Sequence, residues 1–596
     1  MVVTATRTEK TVQDTPANVT VITQKELKDS GYQSVFQAVR ELSQANCHTY
    51  QEDGGDYGGM MSRIRVRGID DGTLVLVNGN PSNYMNHATL NTVPMDQIEK
   101  IEIVKGSNSV LYGPQAMGGV INIITKRPSK TGAVTGSVIG GIGSNKKLAG
   151  ANVQTDVLNV GYKKTWNKDF NDAVLPGNTG LGTAINIKDK SSDQFYLDAQ
   201  LAKDLTFSWG RNHSEVKYQT GSYKNFVPVM NKLSQYNSYA LAYDNKNAGW
   251  KAVLGYNTMD LSCLPLKGGS YSKYDGYNAN FDLQKKFNLK NNDSLIFGVN
   301  VNRESMETQT TVFNKAGRNS FSAYQSWDVH TSDAFELILG LREYYVGSNQ
   351  YYDSDFQLLP QVQGVYKANP VSNYYFNVGK SFEMPGINST FYYKSNYAIN
   401  SALKPQSGWT YELGYKVDDG TTAFTADVFH MKIKDKFFWD KDANDNNIMR
   451  NRDEWENTGL ELNYKQNLDE NWTASIGWTL QNPKACSNGV WSQDTAKNIL
   501  NLGADFKKGK FVWNTRLFTY LDREIAYYNA AHSSSKIKDH HLKNSVDLSM
   551  TLSYMPTSKD TLRLTAANLL DRDDALNNYE YVTMPRSVLF TYERSF

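Results

Sequence analysis

The stretch that decides the predicted fold is Ile98–Pro128, which reads IEKIEIVKGSNSVLYGPQAMGGVINIITKRP. It begins with charged residues that lead into a strand, continues with a segment that contains several glycines, and ends with a strand rich in β-branched residues. More than three quarters of the 596-residue chain follows it, in alternating strands that end on the aromatic Phe596. A compact mixed domain ahead of so long an antiparallel region predicts a barrel whose lumen holds a plug.

The composition is that of a membrane barrel rather than of a helical membrane protein. Mean hydropathy is −0.55, and no run of about 18 apolar residues is present, so no transmembrane helix is predicted. The 37 tyrosines, 24 phenylalanines and 11 tryptophans are expected where both membrane interfaces carry aromatic girdles. The net charge of +2 favours no charged partner, and we expect no nucleic acid. Three cysteines make no disulfide framework.

Three regions are predicted along the chain. Residues 1–15 are polar and have no core-forming periodicity, so we expect an extended, mobile segment. Residues 16–129 alternate short strands with helical signals, including the capping box Thr23-Gln24-Lys25-Glu26, and predict an α+β plug domain. Residues 130–596 predict a transmembrane β-barrel.

The barrel prediction depends on period-two alternation and on turn lengths. In Leu460–Leu480 the apolar side chains Leu460 and Leu462 point one way and Glu461 the other, which suits a lipid-facing wall around a wet lumen. Short turns alternate with long loops, as in outer-membrane barrels. At roughly 21 residues per strand and loop the region holds about 22 strands, wide enough for a folded plug. No blade repeat is visible, which argues against a propeller.

Motifs along nearly the whole chain resemble those of the TonB-dependent outer-membrane receptor family. Its most specific plug signature is similar to Glu102–Gly106, Leu111–Gly113 and Gly118–Thr125 of this chain. Further resemblances are the N-terminal Val2–Thr6, the plug segments Arg65–Gly68 and Leu74–Gly79, the barrel segments Tyr411–Tyr415 and Asn457–Leu462, and the closing Asn568–Asp571 with Phe596. The resemblance implies a mainly β fold, a plugged barrel in the outer membrane of a diderm bacterium, and a monomer.

The resemblance also implies which partner protein supplies the energy for transport. Val2, Val3, Thr4, Ala5 and Thr6 look like the TonB box, the segment on which TonB, with ExbB and ExbD, pulls. An extended segment of this kind suits strand addition to a partner's sheet edge. No phosphate-binding loop, zinc motif or nucleophile with its base is visible from spacing. We therefore expect a transporter driven from outside the chain, and no enzyme.

A charged contact is expected to hold the plug inside the barrel. Arg67 and Lys105 on the plug, with Glu412 and Glu461 on the wall, resemble the family's charge cluster. The alternation given above independently places Glu461 on the lumen face. Buried charges are tolerated only when paired. Lys105 stands where the family usually has Arg, so the bidentate fork of a guanidinium is absent there.

The ligand site of such receptors lies where the plug apices meet the outer loops. The apices expected here are Tyr50–Met61 and Pro81–Leu90. They contribute the candidate ligand residues Tyr50, Tyr57, Tyr84, Met85 and His87, and the barrel loops contribute Tyr393, Tyr397, Arg450 and Arg452. Aromatic rings and cations of this kind fit a ferric siderophore. The transported ligand is then expected to contain iron, and no intrinsic cofactor is predicted.

Alternative ligands and one alternative class of protein stay open at this point. His87, fourteen residues ahead of Ile101, stands where haem receptors of the family carry a plug histidine, and imidazole ligates haem iron. The short barrel is similar in size to those of vitamin B12 receptors, which makes cobalamin a further alternative. A passive porin or adhesin is the alternative from a different class, although a plug argues against an open pore.

Overall fold

The computed structural model describes residues 2–3, 7, 10–48, 62–69, 72–84, 87, 89–128, 132–167, 183–222, 225–226, 230–265, 271–309, 313–387, 397–452, 454–487, 489–524, 541–572, 574–577 and 581–596. None of the helices among these residues is both long and apolar enough to span a membrane.

In the described part of the chain, 22 long antiparallel strands close into one barrel, and the first strand pairs with the last. The predicted mainly β fold with about 22 strands is confirmed. The strands are Thr135–Gly143, Lys146–Gln154, Leu158–Asn167, Thr183–Ala202, Leu205–Ser222, Met230–Asn245, Trp250–Pro265, Ser272–Asn288, Ser294–Gln309, Phe313–His330, Phe335–Val346, Asp355–Asn369, Ser372–Glu383, Gln406–Asp418, Thr422–Lys434, Glu454–Asn467, Trp472–Gln481, Asn498–Lys508, Phe511–Leu521, Ser545–Tyr554, Asp560–Ala567 and Ser587–Ser595.

The wall follows the predicted alternation. In the strand Gln406–Asp418, Tyr411 and Leu413 are exposed on the outer face, whereas Thr410 and Glu412 are buried against the plug. Because successive side chains of a strand point to opposite faces, one face of the wall is apolar for lipid and the other is polar for the lumen.

The two rims of the barrel differ. One rim, here called the short-turn rim, carries connections such as 203–204 and 509–510, together with the start of the first strand and the end of the last. The opposite long-loop rim carries connections such as 384–405 and 435–453. Two long loops meet there in a three-stranded sheet made of Tyr397–Ala398, Asn447–Asn451 and Phe437–Lys441, called the loop sheet below.

The plug is an α+β domain inside the barrel. Its mixed five-stranded sheet has the order Val19–Thr23, Ile98–Lys105, Gly119–Thr125, Thr73–Val77 and Asn80–Pro81. Only Thr73–Val77 and Gly119–Thr125 pair in parallel. The helices Gln24–Ser30 and Val35–Leu42 cover this sheet, and Ile22, Leu27, Phe36, Val39, Ile101, Ile103, Ile121 and Ile123 form its core.

Two local features shape the plug. Gly31 takes a left-handed conformation (φ 66°) that ends the first helix before the second begins. The strand that begins at Arg63 ends at Arg65, and a 3₁₀ turn, Val66–Gly68, continues it. The capping box of Thr23 and Glu26 is present. Because residues 129–131 lie outside the described residues, the domain boundary near 129 stays a prediction.

The N-terminal segment lies against the short-turn half of the wall. Val2–Val3 pairs antiparallel with Lys10–Thr11, and Arg7, between them, has a left-handed backbone (φ 61°). Thr4, Ala5 and Thr6 lie outside the described residues.

Candidate functional site

A buried ion-pair cluster joins the plug to the wall. The Arg67 guanidinium lies 3.0 Å from Glu412 Oε1, 2.7 Å from Asp427 Oδ1 and 3.0 Å from Glu461 Oε2. Its side chain is 0% exposed. The cluster of Arg67, Lys105, Glu412, Asp427 and Glu461 is called the latch below. The four residues predicted from sequence therefore lie together, and their role in holding the plug stays a prediction.

The local backbone aims the Arg67 guanidinium at the wall. Arg67 has φ 52° and Gly68 has φ 78°, both left-handed, a conformation that a non-glycine residue rarely adopts. Gly106, with φ 86°, lies under the cluster, where an added Cβ would stand 2.7 Å from Glu412 Oε2. A side chain at Gly106 would therefore meet the carboxylate as well as an unfavourable backbone.

Lys105 is the second cation of the latch, and its ammonium group binds two partners. Lys105 Nζ lies 3.1 Å from Glu461 Oε1 and donates to Gln44 Oε1 at 3.2 Å. Asn18 adds a plug donor to each wall glutamate: its peptide N–H donates to Glu412 and its side-chain amide to Glu461. Lys105 thus belongs to the cluster although it lacks a guanidinium fork.

Asp427 is the latch residue that the sequence analysis missed. It lies directly opposite Glu461 on the neighbouring strand and accepts a 2.6 Å hydrogen bond from the Tyr375 hydroxyl. A carboxylate at a lumen-facing position of a wall strand is the signal that could have identified it, because such positions must find a partner.

An apolar patch seals the latch on one side. The plug residues Ile69 and Met117 pack against Phe429 and Trp455 of the wall, and the Arg67 guanidinium lies 4.4 Å from the centroid of the Phe429 ring. This patch excludes water from the ion pairs, which strengthens each of them.

A second, smaller set of ion pairs holds the N-terminal segment. Arg7 makes a two-pronged contact with Asp282 and donates to the Tyr324 hydroxyl at 2.8 Å. Lys10 contacts Asp328 at 2.8 Å and also contacts Glu336. These two cations and their four partners are called the N-terminal clasp. Burial lowers the pKa of Lys10, but the carboxylates of Glu336 and Asp328 outweigh it and raise that pKa above its ordinary value.

Two clasp residues, Asp328 and Glu336, form with His330 the one group with metal-ligand geometry found among the described residues. Lys10 contacts both of its carboxylates. The ammonium group therefore already pairs with both carboxylates and offsets one of their two negative charges.

The second predicted plug apex packs against the wall. Tyr84 is 6% exposed and lies in a cluster with Tyr236, Met259 and Tyr274. Its backbone exchanges two hydrogen bonds with that of His87, which is half-buried. In this conformation the Tyr84 ring faces the wall rather than the open mouth. Tyr50, Tyr57 and Met85 lie outside the described residues.

Three of the four predicted loop residues lie on the loop sheet or next to it. Tyr397 meets Trp439 edge-to-face at 5.3 Å, Arg450 pairs with Asp440 at 3.0 Å, and Arg452 lies over Phe438. Because side chains alternate along a strand, Trp439, which the sequence analysis did not single out, shares one face of the loop sheet with Tyr397. Arg450 and Arg452 share the other face with Phe438. Tyr393 lies outside the described residues.

Two family models match this chain. The model described as TonB dependent receptor-like, beta-barrel matches residues 140–569, and that of the TonB-dependent Receptor Plug Domain matches residues 11–120. Together the two models account for both parts of the fold.

Individual relatives cover nearly the full length. The chain is 23% identical to the iron-regulated outer membrane virulence protein of Vibrio cholerae, over 98% of this chain and 93% of that one. It is 25% identical to the vitamin B12 transporter BtuB of Photobacterium profundum, over 96% and 92%. Among solved structures, the siderophore receptor PirA from Acinetobacter baumannii aligns with a TM-score of 0.77 at 18% identity, over 97% and 98%. The ferripyoverdine receptor of Pseudomonas aeruginosa aligns at 0.76 and 16%, over 100% and 89%.

Proposed function

Because the chain belongs to the TonB-dependent receptor family, we propose that it imports a ferric siderophore across the outer membrane with energy supplied by TonB. Membership confirms the coarser predictions: the protein is an outer-membrane receptor of a diderm bacterium, and it is not an enzyme. The short-turn rim then faces the periplasm and the long-loop rim faces the outside.

The loop sheet is the observation that carries the proposed ligand. It presents Arg450 and Arg452 beside Phe438 on one face, and Tyr397 packed on Trp439 on the other, at the outer mouth. Ferric siderophores offer oxygen-rich, often anionic and aromatic groups, which match ring faces and guanidinium groups. The Arg450 side chain is 44% exposed beside Asp440, so it can exchange that partner for a ligand carboxylate or phenolate.

The N-terminal segment supports the proposed energy coupling. Its strand Val2–Val3 lies on the side that faces the periplasm, where TonB acts, and the clasp attaches the segment to the wall near the same rim. Deletion of residues 2–6 should abolish uptake and leave ligand binding unchanged. A passive porin or adhesin would keep its activity after this deletion, which separates the two classes.

The ligand class is tested by binding at the loop sheet. We expect an iron(III) tris-catecholate or tris-hydroxamate to quench tryptophan fluorescence of the purified protein, and the double variant Arg450→Ala/Arg452→Ala to bind it at least tenfold more weakly. Lys25→Ala, an exposed cation on the plug, is the matched control. Absence of quenching by both chelates would reject the siderophore proposal.

Cobalamin is the second candidate, because a relative named vitamin B12 transporter aligns over 96% of this chain. Binding of cyanocobalamin without binding of either ferric chelate would establish it in place of the siderophore. The haem alternative depends on His87. A Soret shift with haemin that disappears in His87→Ala would favour it, whereas an unchanged spectrum would exclude that ligand role.

A further inference from the structure

One connection on the short-turn rim is much more basic than the others. It is the connection 509–510, which with two flanking residues on each side reads KKGKFV and carries three positive charges. Counted in the same way, the other nine connections of this rim carry net charges between −2 and +1. This turn is therefore the place on the rim where an anion is most strongly attracted.

The lysines of this turn are open to a ligand. Lys507, Lys508 and Lys510 are exposed, and none of them forms an ion pair with another of the described residues. Lys510 donates one hydrogen bond, to the carbonyl of Pro556 at 2.6 Å, and an ammonium group has three N–H donors. The lysines therefore keep most of their donors for a ligand.

The neighbouring turns do not cancel this charge. The connections 468–471 and 555–559 carry two carboxylates and one lysine, so with the three lysines described above the three turns keep a net charge of +2. One of the carboxylates, Asp469, already accepts two peptide N–H groups of its own turn, at 2.7 and 2.8 Å. The three turns together therefore present a positive surface.

Aromatic rings cover the outer face of the wall beside this turn. Trp472 lies directly opposite Phe506, and Phe506 lies directly opposite Trp513 on the next strand. The centroid of the Trp472 ring is 4.8 Å from that of Phe506 and 6.0 Å from that of Trp513. These three rings form one continuous apolar surface that faces the lipid.

A second row of rings lies at the level of the lysines. Phe511 is opposite Lys508 on one side and opposite Tyr554 on the other, and the rings of Phe511 and Tyr554 are 4.9 Å apart. Phe511 is 50% exposed on the outer face. Because Lys508 is two residues beyond Phe506, the two rows are about 7 Å apart along the strand. Lys508 and Lys510 with the five rings of the two rows are called the interfacial patch.

We propose that the interfacial patch binds an anionic phospholipid of the periplasmic leaflet, of which phosphatidylglycerol is the simplest. Lys508 and Lys510 contact the phosphate group, and the two rows of rings contact the glycerol backbone and the upper part of the acyl chains. The inference goes beyond the import of a ligand and holds whichever ligand the protein carries.

The position of the rings favours a lipid over other anions. Free phosphate would use the lysines and leave the rings without a role. An acidic protein in the periplasm would also meet the lysines, whereas the lower row of rings lies in the membrane-facing band of the wall. Cations and aromatic rings at an interface together match the two ends of an anionic lipid.

The test compares two lipids that differ only in headgroup charge. The purified full-length protein in a non-ionic detergent is titrated with phosphatidylglycerol or phosphatidylcholine of the same acyl chains, and native mass spectrometry gives the dissociation constant of the first bound lipid. We expect phosphatidylglycerol to bind at least about tenfold more tightly. Equal binding of the two lipids would overturn the proposal.

Lys508→Gln/Lys510→Gln should weaken binding of phosphatidylglycerol roughly five- to twenty-fivefold, because each lysine near an anionic surface contributes about a factor of five. Binding of phosphatidylcholine should change less than about twofold. The matched control, Lys203→Gln/Lys251→Gln, removes two charges from the same rim, where Lys251 lies 3.6 Å from Asp244. An equal loss in the control would mean a general effect of net charge and would overturn the site.

Two further measurements separate the lipid from its headgroup. Phe511→Ala should weaken both lipids by a similar factor, since the ring contacts uncharged parts that they share, and an effect on neither lipid would overturn the role of the rings. Glycerol 3-phosphate at millimolar concentration should leave phosphatidylglycerol bound. Displacement of the lipid by this compound would show a site for phosphate alone and would overturn the lipid as its occupant.

Discussion

The latch and the N-terminal clasp both set plug-side cations against wall carboxylates, but they differ in burial. Arg67 in the latch is 0% exposed, whereas Arg7 and Lys10 in the clasp are 15% and 14% exposed. Buried ion pairs are screened far less by salt than pairs open to solvent. We therefore expect a pull on the N-terminus to break the clasp first and to release the segment while the plug stays latched.

The largest effect is expected from Arg67→Met. The substitution leaves Glu412, Asp427 and Glu461 buried without their shared cation, and removal of one partner from a buried ion pair costs about 3–5 kcal/mol. Hydrogen exchange of the plug strand Ile98–Lys105 should report this loss.

The matched control for Arg67→Met is Arg450→Met, which breaks the half-exposed pair with Asp440 and should cost about 1 kcal/mol or less. Similar losses in the two variants would remove the distinction between buried and exposed pairs on which the comparison depends.

Gly106→Ala should come next, at about 1–3 kcal/mol in plug stability. The new methyl group would combine a left-handed backbone (φ 86°) with a contact 2.7 Å from Glu412 Oε2. Gly79→Ala is an unusually close control, because Gly79 has φ 85° and nothing within 4 Å of the added Cβ. The difference between the two variants, measured by the same exchange experiment, isolates the crowding of the latch from backbone strain. Equal losses would mean that the latch tolerates the methyl group.

Sequence reasoning reached the latch through the family resemblance, which supplied Arg67, Lys105, Glu412 and Glu461. The alternation of Leu460–Leu480 independently placed Glu461 in the lumen. Asp427 escaped because its place beside Arg67 depends on a strand register that sets it directly opposite Glu461, which a single strand does not reveal. The left-handed backbone of Arg67 likewise depends on tertiary contacts rather than on local propensity.

The outer mouth was harder to predict, because it depends on how separate segments meet. Tyr84 was expected to face the ligand, yet it packs against Tyr236 and Tyr274 of the wall. The loop sheet pairs Tyr397–Ala398 in parallel with residues about fifty positions later, a contact that no local pattern indicates. The contact between Arg7 and Asp282 spans 275 positions and was missed for the same reason.

Lys10→Ala should have a smaller effect, confined to the N-terminal segment. We expect it to increase proteolysis near residues 10–15 roughly two- to fivefold, since partly exposed ion pairs contribute about 1 kcal/mol or less. Added salt should release the segment of the wild-type protein in the same way, because the Debye length falls from about 10 Å at 0.1 M to about 3 Å at 1 M. The hydrogen-exchange rate of the plug strand Ile98–Lys105, which carries Lys105 of the latch, should not change with added salt. A latch that loosened with salt alongside the clasp would contradict the order of release.

The smallest effect is expected at a third ion pair, between Glu26 of the capping box and Lys465 of the wall. Burial raises the pKa of Glu26, but Lys465 and Thr23 outweigh it and lower that pKa below its ordinary value of 4.5. A lowered pKa in the folded state means that the pair stabilises the plug above about pH 4.5 and loses this effect as the pH falls through the folded-state pKa.

Glu26→Gln keeps the capping geometry, because glutamine also serves in a capping box, and it removes only the charge. With Lys465 49% exposed, we expect it to destabilise the plug by about 0.5 kcal/mol at pH 7 and by nothing measurable at pH 3. Plug stability by hydrogen exchange at both pH values would check this. An equal loss of plug stability at pH 7 and pH 3 would mean that Glu26 acts only through its hydrogen bonds in the capping box. The ion pair with Lys465 would then contribute nothing to holding this end of the plug.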